Sequence, residues 1–119
     1  MTHQPDTLAD ALDSFEPRSH DATASGAQAF ARLLALAEQR GSGQIVRVVQ
    51  FIAATCNWHA FAFDLFDLRA LDVAISDGML RCLDALRWAR ADLYTLVPDG
   101  DALVRSVIDR CGLQWPDDD

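Results

Sequence analysis

The chain has 119 residues, half of them hydrophobic, which suits one domain with one core. Its formal net charge is −8, from 18 acidic against 10 basic residues, and every basic residue is Arg. A field of that sign repels phosphate backbones and acidic membranes and favours a basic partner; with no stretch long and apolar enough to span a bilayer, and no basic region and apolar core of a signal peptide over Met1 to Asp10, a cytoplasmic protein is expected.

Residues 1–24 are polar and read as a flexible tail. Within them Leu8, Ala11, Leu12 and Phe15 follow the spacing of one helical face, so a short amphipathic helix over 7–15 is expected. Asp6 is placed to cap it and Pro17 to stop it. A helix this short is marginal alone and needs the domain or another chain to dock on.

Residues 25–116 read as a single helical domain, and the acidic end 117–119 as disordered. The expected fold class is all-α: a compact bundle of four main helices, with the short N-terminal helix as an extra. The first main helix covers 25–40, with Ser25 and Gln28 in a capping-box pattern. Phe30, Leu33, Leu34 and Ala37 make its apolar stripe, and Gly41-Ser42-Gly43 ends it. The second covers 44–57, with Ile45, Val48, Val49, Ile52 and Cys56 inward and Gln44, Arg47 and Gln50 outward. So short a link predicts an antiparallel hairpin.

Residues 58–66 hold four of the ten large aromatics: Trp58, Phe61, Phe63 and Phe66. Phe61, Phe63 and Leu65 alternate with small or polar residues, but a lone strand makes no sheet, so the segment reads as a packed loop. The third helix is expected over 67–90, its stripe running through Leu68, Leu71, Ile75, Met79, Cys82 and Leu86 and widened by Leu80 and Leu83. Gly78 weakens its middle and marks a close crossing or a bend. After a connector over 92–98, the last helix spans 99–111 with Asp99 as N-cap, an Asp101–Arg105 pair, and Gly112 with Leu113 as its C-terminal stop.

Three functional readings compete. A helix, a glycine turn and a helix outline a DNA-binding helix-turn-helix regulator, with Gln44, Arg47 and Gln50 as the reading face. The missing basic cluster disfavours direct nucleic-acid binding, since phosphate neutralisation supplies most of the non-specific affinity. A small metal-binding or hydrolytic enzyme would centre on Asp64, Asp67, Asp72 and His59, where carboxylates and an imidazole hold a divalent ion or move protons. No metal-loop spacing supports it, Asp64 or Asp67 is better placed as a helix cap, and Arg69 has Asp72 within pairing range. Cys56 near His59 suggests a nucleophile, but no third group joins them. The odd number of cysteines, Cys56, Cys82 and Cys111, fits buried free thiols. No cofactor is implied. The third reading is a protein-interaction module whose contact residues are Trp58, Phe61, Phe63, Asp64, Asp67, Arg69 and Asp72, because exposed aromatics favour contact sites. A homodimer through that segment or through the N-terminal stretch is open.

From Phe30 onward, Arg32-Leu33-Leu34 with Ala37, Ser42-Gly43-Gln44 with Arg47-Val48 and Phe51, Asn57, Phe63-Asp64-Leu65 with Asp67-Leu68, Leu71-Asp72 and Met79-Leu80 form a pattern across the middle half of the chain. In that pattern the chain resembles a family of small uncharacterised proteins encoded on integrative conjugative elements, plasmids and genomic islands of Proteobacteria. The resemblance implies a mobile-element accessory protein and no particular chemistry. The expected function is therefore a non-enzymatic interaction module, a regulator or inhibitor of a host or competing system such as an anti-defence protein.

Overall fold

A computed structural model describes residues 7–39, 43–57 and 60–114, with side chains from residue 16 onward. The fold is an all-α bundle. Four α-helices follow in order among the described residues: α1 (Thr7–Ala37), α2 (Gly43–Cys56), α3 (Val73–Trp88) and α4 (Gly100–Arg110). A 3₁₀ helix over Leu65–Ala70 precedes α3, and another over Leu93–Leu96 precedes α4. No strand forms among the described residues, so 60–64 is a loop, as its lone alternating pattern predicts.

The core sits where the apolar stripes of the four α-helices meet. Phe30, Leu33 and Leu34 from α1, Val48, Val49, Phe51 and Ile52 from α2, Met79 and Cys82 from α3, and Val104, Val107 and Ile108 from α4 are all buried. Their burial removes roughly 1.5–3 kcal/mol of apolar exposure for each large side chain.

The largest departure from expectation is α1. It runs unbroken from Thr7 to Ala37 with Pro17 inside it, so there is no tail ending at residue 24 and no helix start at Ser25. Pro17 removes one backbone donor and crowds the preceding turn, a cost of about 3 kcal/mol in a helix interior. Its position lies directly opposite the buried stripe of Ser19, Ala22, Gly26 and Ala29, so the lost bond faces outward at 3.6 residues per turn. The turn after it is fastened to the end of α3. Arg90 pairs with Glu16 at 3.1 Å and donates to the buried Ser19 hydroxyl at 3.4 Å, while the Arg18 guanidinium lies 5.4 Å from the Trp88 ring centre. Ser25 and Gln28 are interior helical residues and cap nothing.

α1 and α3 are antiparallel and closely packed at Gly26. A side chain there would collide with Ala85 and crowd the Arg81 carbonyl. Gly78, expected at a close crossing or a bend, has room: a methyl group would meet only Leu33, at 3.7 Å. The crossing glycine is therefore on the other helix.

The third helix also differs from expectation. It starts at Val73 rather than 67, because Leu71 is extended and ends the 3₁₀ helix before α3 begins. Leu80 and Leu83, expected to widen its core stripe, are exposed. α4 closes as predicted. Leu113 N–H donates to the Ile108 carbonyl at 3.2 Å and Gly112 N–H to Asp109 at 3.1 Å, with Gly112 left-handed at φ 76°. The Asp101–Arg105 pair forms at 3.3 Å. Asp99 stands at the N-cap position but is itself left-handed, at φ 57°, and makes no side-chain cap. The turn is dictated instead by Gly100, which is buried against the Tyr94 carbonyl where a side chain would not fit.

Candidate functional site

The aromatic segment divides between core and surface. Phe61 is buried, and Phe63 is half-buried with its ring edge-on to Phe51, centroids 5.3 Å apart. Leu65 and Phe66 then turn outward and stay 68% and 70% exposed. Trp58 and His59 lie outside the described residues.

The polar candidates in this segment have structural partners. Asp64 caps the 3₁₀ helix, its carboxylate accepting from Phe66 N–H at 2.9 Å. Asp67 pairs with Arg47 of α2 at 3.6 Å. Arg69 covers one face of the exposed Phe66 ring, 4.8 Å from its centre. Gln44 makes a two-way clasp with Asp72: its carbonyl accepts from Asp72 N–H at 2.8 Å and its amide donates to the Asp72 carboxylate at 3.4 Å. Two of the three side chains that would read DNA, Gln44 and Arg47, thus tie α2 to the segment before α3. The same clasp satisfies a free donor at the start of α3, where Asp72 makes no side-chain cap of its own.

Asp64, Asp67 and Asp72 therefore serve three separate structural roles. Among the described residues no three His, Cys, Asp or Glu side chains converge on a point where a metal ion would sit. Burial disfavours ionisation of two of the three thiols. Cys82 is fully buried, and burial pushes its thiol up to about 12, far from ionisation at neutral pH. Cys56 and Cys111 are only partly buried, unlike the expectation for all three. Burial raises the Cys56 thiol; a hydrogen bond with Thr55 opposes this, and the negative charges of Asp92 and Asp101 add to the rise.

What the arrangement does present is a groove of about 480 Å³ between the C-terminal half of α2, the aromatic loop and α3. Phe51, Phe61, Phe63 and Leu86 form its floor and walls, with Leu65 and Leu83 at its rim. Among the described residues its lining is almost wholly apolar, with Thr55 as the one polar side chain. The expectation placed contact at Trp58, Phe61 and Phe63 together with Asp64, Asp67, Arg69 and Asp72. The aliphatic rim, Leu65 and Leu83, was missed because a helical stripe does not tell where its flank stops being covered. The signal available was the width of the α3 stripe, which exceeds what one neighbouring helix covers.

Over residues 27–112 the chain matches a family of unknown function (DUF7673). The chain belongs to that family. The match starts one residue after Gly26 and runs through the C-terminal stop at Gly112, so it takes in the bundle and leaves residues 7–26 of α1 outside. Comparison with curated proteins and with solved structures returns no match. No helix among the described residues is long and apolar enough to cross a membrane.

Proposed function

We propose that this protein is a non-enzymatic interaction module, a regulator or inhibitor carried on a mobile genetic element, and that it holds its partner in the groove between α2, the aromatic loop and α3. The observation that carries the reading is the exposure of Leu65 and Phe66, 68% and 70%, beside a groove already walled by aromatic rings. Large apolar side chains left in water forgo roughly 1.5–3 kcal/mol each, which a partner's surface restores. The mobile-element setting rests on the resemblance noted above.

Charge narrows the partner. Asp64 adjoins Leu65 at the rim, and Asp92 and Asp101 act on Cys56 at the neighbouring end of α2. With a net charge of −8, such a site suits an apolar anchor set in a basic protein surface. The interaction is with protein rather than DNA: Gln44 and Arg47 are spent on the fold, and the charge opposes phosphate.

A photo-cross-linking side chain at Ala62, an exposed position on the groove wall, tests this in the native host. The expected result is one specific protein adduct that is absent when the same group replaces Gln28, exposed on the outer side of α1. Identical adducts from both positions, or none from Ala62, would contradict it.

A further inference from the structure

We infer that the cavity between α1 and α3 binds a small monoanion with an apolar body, an aliphatic carboxylate whose charge Arg32 and Arg81 hold. The cavity shares no lining residue with the groove beside the aromatic loop, so the inference does not rest on the function proposed above. Its volume is about 380 Å³, within the range of about 300–1,000 Å³ typical of small-molecule sites. Leu33 is buried at its floor, and Leu36 and Ile75 are half-buried along its walls. Gly78 keeps it open on the α3 side. A glycine there weakens α3 relative to alanine, and helix packing does not require it, since a methyl group would meet only Leu33 at 3.7 Å. The space left by the missing side chain belongs to the cavity.

The polar groups gather at one end. Gly26 lies against Ala85 and Leu33 against Gly78, so the two antiparallel helices run past each other residue for residue. That register sets Arg81 across from position 30, within about 3 Å of the level of Arg32 at 1.5 Å per residue. Gln39 and Ala74 stand at the other end, about 10 Å farther along the helices. Both arginines line the cavity and are exposed. Every other described arginine is engaged within the chain: each pairs with a carboxylate, donates to a carbonyl or covers an aromatic ring. Among the described residues Arg32 and Arg81 alone have no such partner. In a chain with 18 acidic residues, none of the described Asp or Glu side chains lines this cavity.

These features select the ligand. Two uncommitted guanidinium groups beside an apolar trough suit an anionic head with an apolar body, because a carboxylate accepts charge-assisted hydrogen bonds from arginine. The field of the whole molecule limits the charge. Repulsion from a net charge of −8 grows with the charge of the ligand, so nucleic acid, an acidic membrane or an acidic protein face is disfavoured. A single carboxylate meets the local excess of positive charge at small cost. Its apolar body then runs from the arginines along Leu36 and Ile75 toward Gln39, a reach of about 10 Å. Octanoate has that form and serves as the probe.

Titration of the isotope-labelled full chain with octanoate, followed by amide nuclear magnetic resonance, tests it. The expected result is saturable shifts at Leu33, Ile75 and Gly78 and none at Ala62 and Phe63 in the groove. Octylammonium, with the same body and the opposite charge, should leave the cavity amides unmoved. Arg32→Gln and Arg81→Gln should each weaken octanoate binding about fivefold or more, the effect of losing a charge-assisted hydrogen bond. Gly78→Leu should abolish it by filling the trough. Gly78→Ala, which keeps or raises the unfolding midpoint, should weaken it severalfold, separating loss of space from loss of fold. Absence of shifts around the cavity, equal binding of octylammonium, or wild-type affinity in both arginine variants would overturn the inference. So would shifts confined to the groove, or shifts produced by a polyglutamate peptide and not by octanoate, which would assign the cavity to an acidic protein partner.

Discussion

Gly26 and Gly78 sit on facing helices, and their surroundings give opposite signs to the same substitution. Gly26 touches Ala85 and the Arg81 carbonyl so closely that any added methyl must push α1 and α3 apart, and Gly26→Ala should cost about 1–3 kcal/mol. Gly78 has only Leu33 nearby, at 3.7 Å, so Gly78→Ala should gain up to about 1 kcal/mol from helix propensity. Urea unfolding of the two variants checks both, and equal shifts would contradict the packing described. Cys82 provides a second handle. Its thiol ionises at an ordinary 9.0 when unfolded and at about 12 when folded. Between those values the folded state keeps a proton that the unfolded state has lost, so stability falls as pH rises through that window and is unaffected below it. Cys82→Ala should remove that part of the slope, measured as unfolding midpoint against pH. The side chains that carry this behaviour were partly legible. The apolar stripes of α2 and α4 announce Val48, Ile52, Val104 and Ile108 because burial there follows periodicity directly. Gly26 was not legible, because a glycine amid Ser19, Ala22 and Ala29 has no apolar signature. Its importance comes from the backbone of another helix.

Among the elements, the segment between α2 and α3 shows how polar residues that resemble a site can be structural. A cluster of Asp64, Asp67, Asp72 and Arg69 looks like chemistry in one dimension. In three dimensions each residue has its own partner: Phe66 N–H, Arg47, Gln44 and the Phe66 ring. Spacing cannot separate these cases, since Arg47 lies 20 residues from Asp67 and Gln44 lies 28 from Asp72, and only the fold of α2 brings them near. The clasp has a measurable consequence. Gln44→Ala should cost about 0.5–1.5 kcal/mol, the worth of a typical hydrogen bond. It should also speed hydrogen exchange at the Asp72 amide while the amides in the middle of α2 keep their protection. Unchanged exchange at Asp72 would show that the clasp does not hold the start of α3. α1 carries the opposite lesson. Pro17 reads as a stop because local rules make it one, and the helix continues because Glu16, Arg18 and Ser19 are held by Arg90 and Trp88. Those contacts span 70 to 74 positions of sequence, beyond the reach of any local pattern.

At the scale of the whole molecule, one acidic bundle presents an apolar groove that its own core does not absorb. The groove rimmed by Leu65 and Leu83 lies within the stretch shared with the family. The central claim is that the groove is the binding surface, and the affinity of the cross-linked partner for a Leu65→Asp variant tests it most directly. Leu65 is 68% exposed, so the substitution leaves the fold and its unfolding midpoint unchanged. The account predicts a loss of affinity of about thirtyfold or more, the effect of removing an interface anchor worth 2 kcal/mol; an affinity equal to that of the wild type would contradict it.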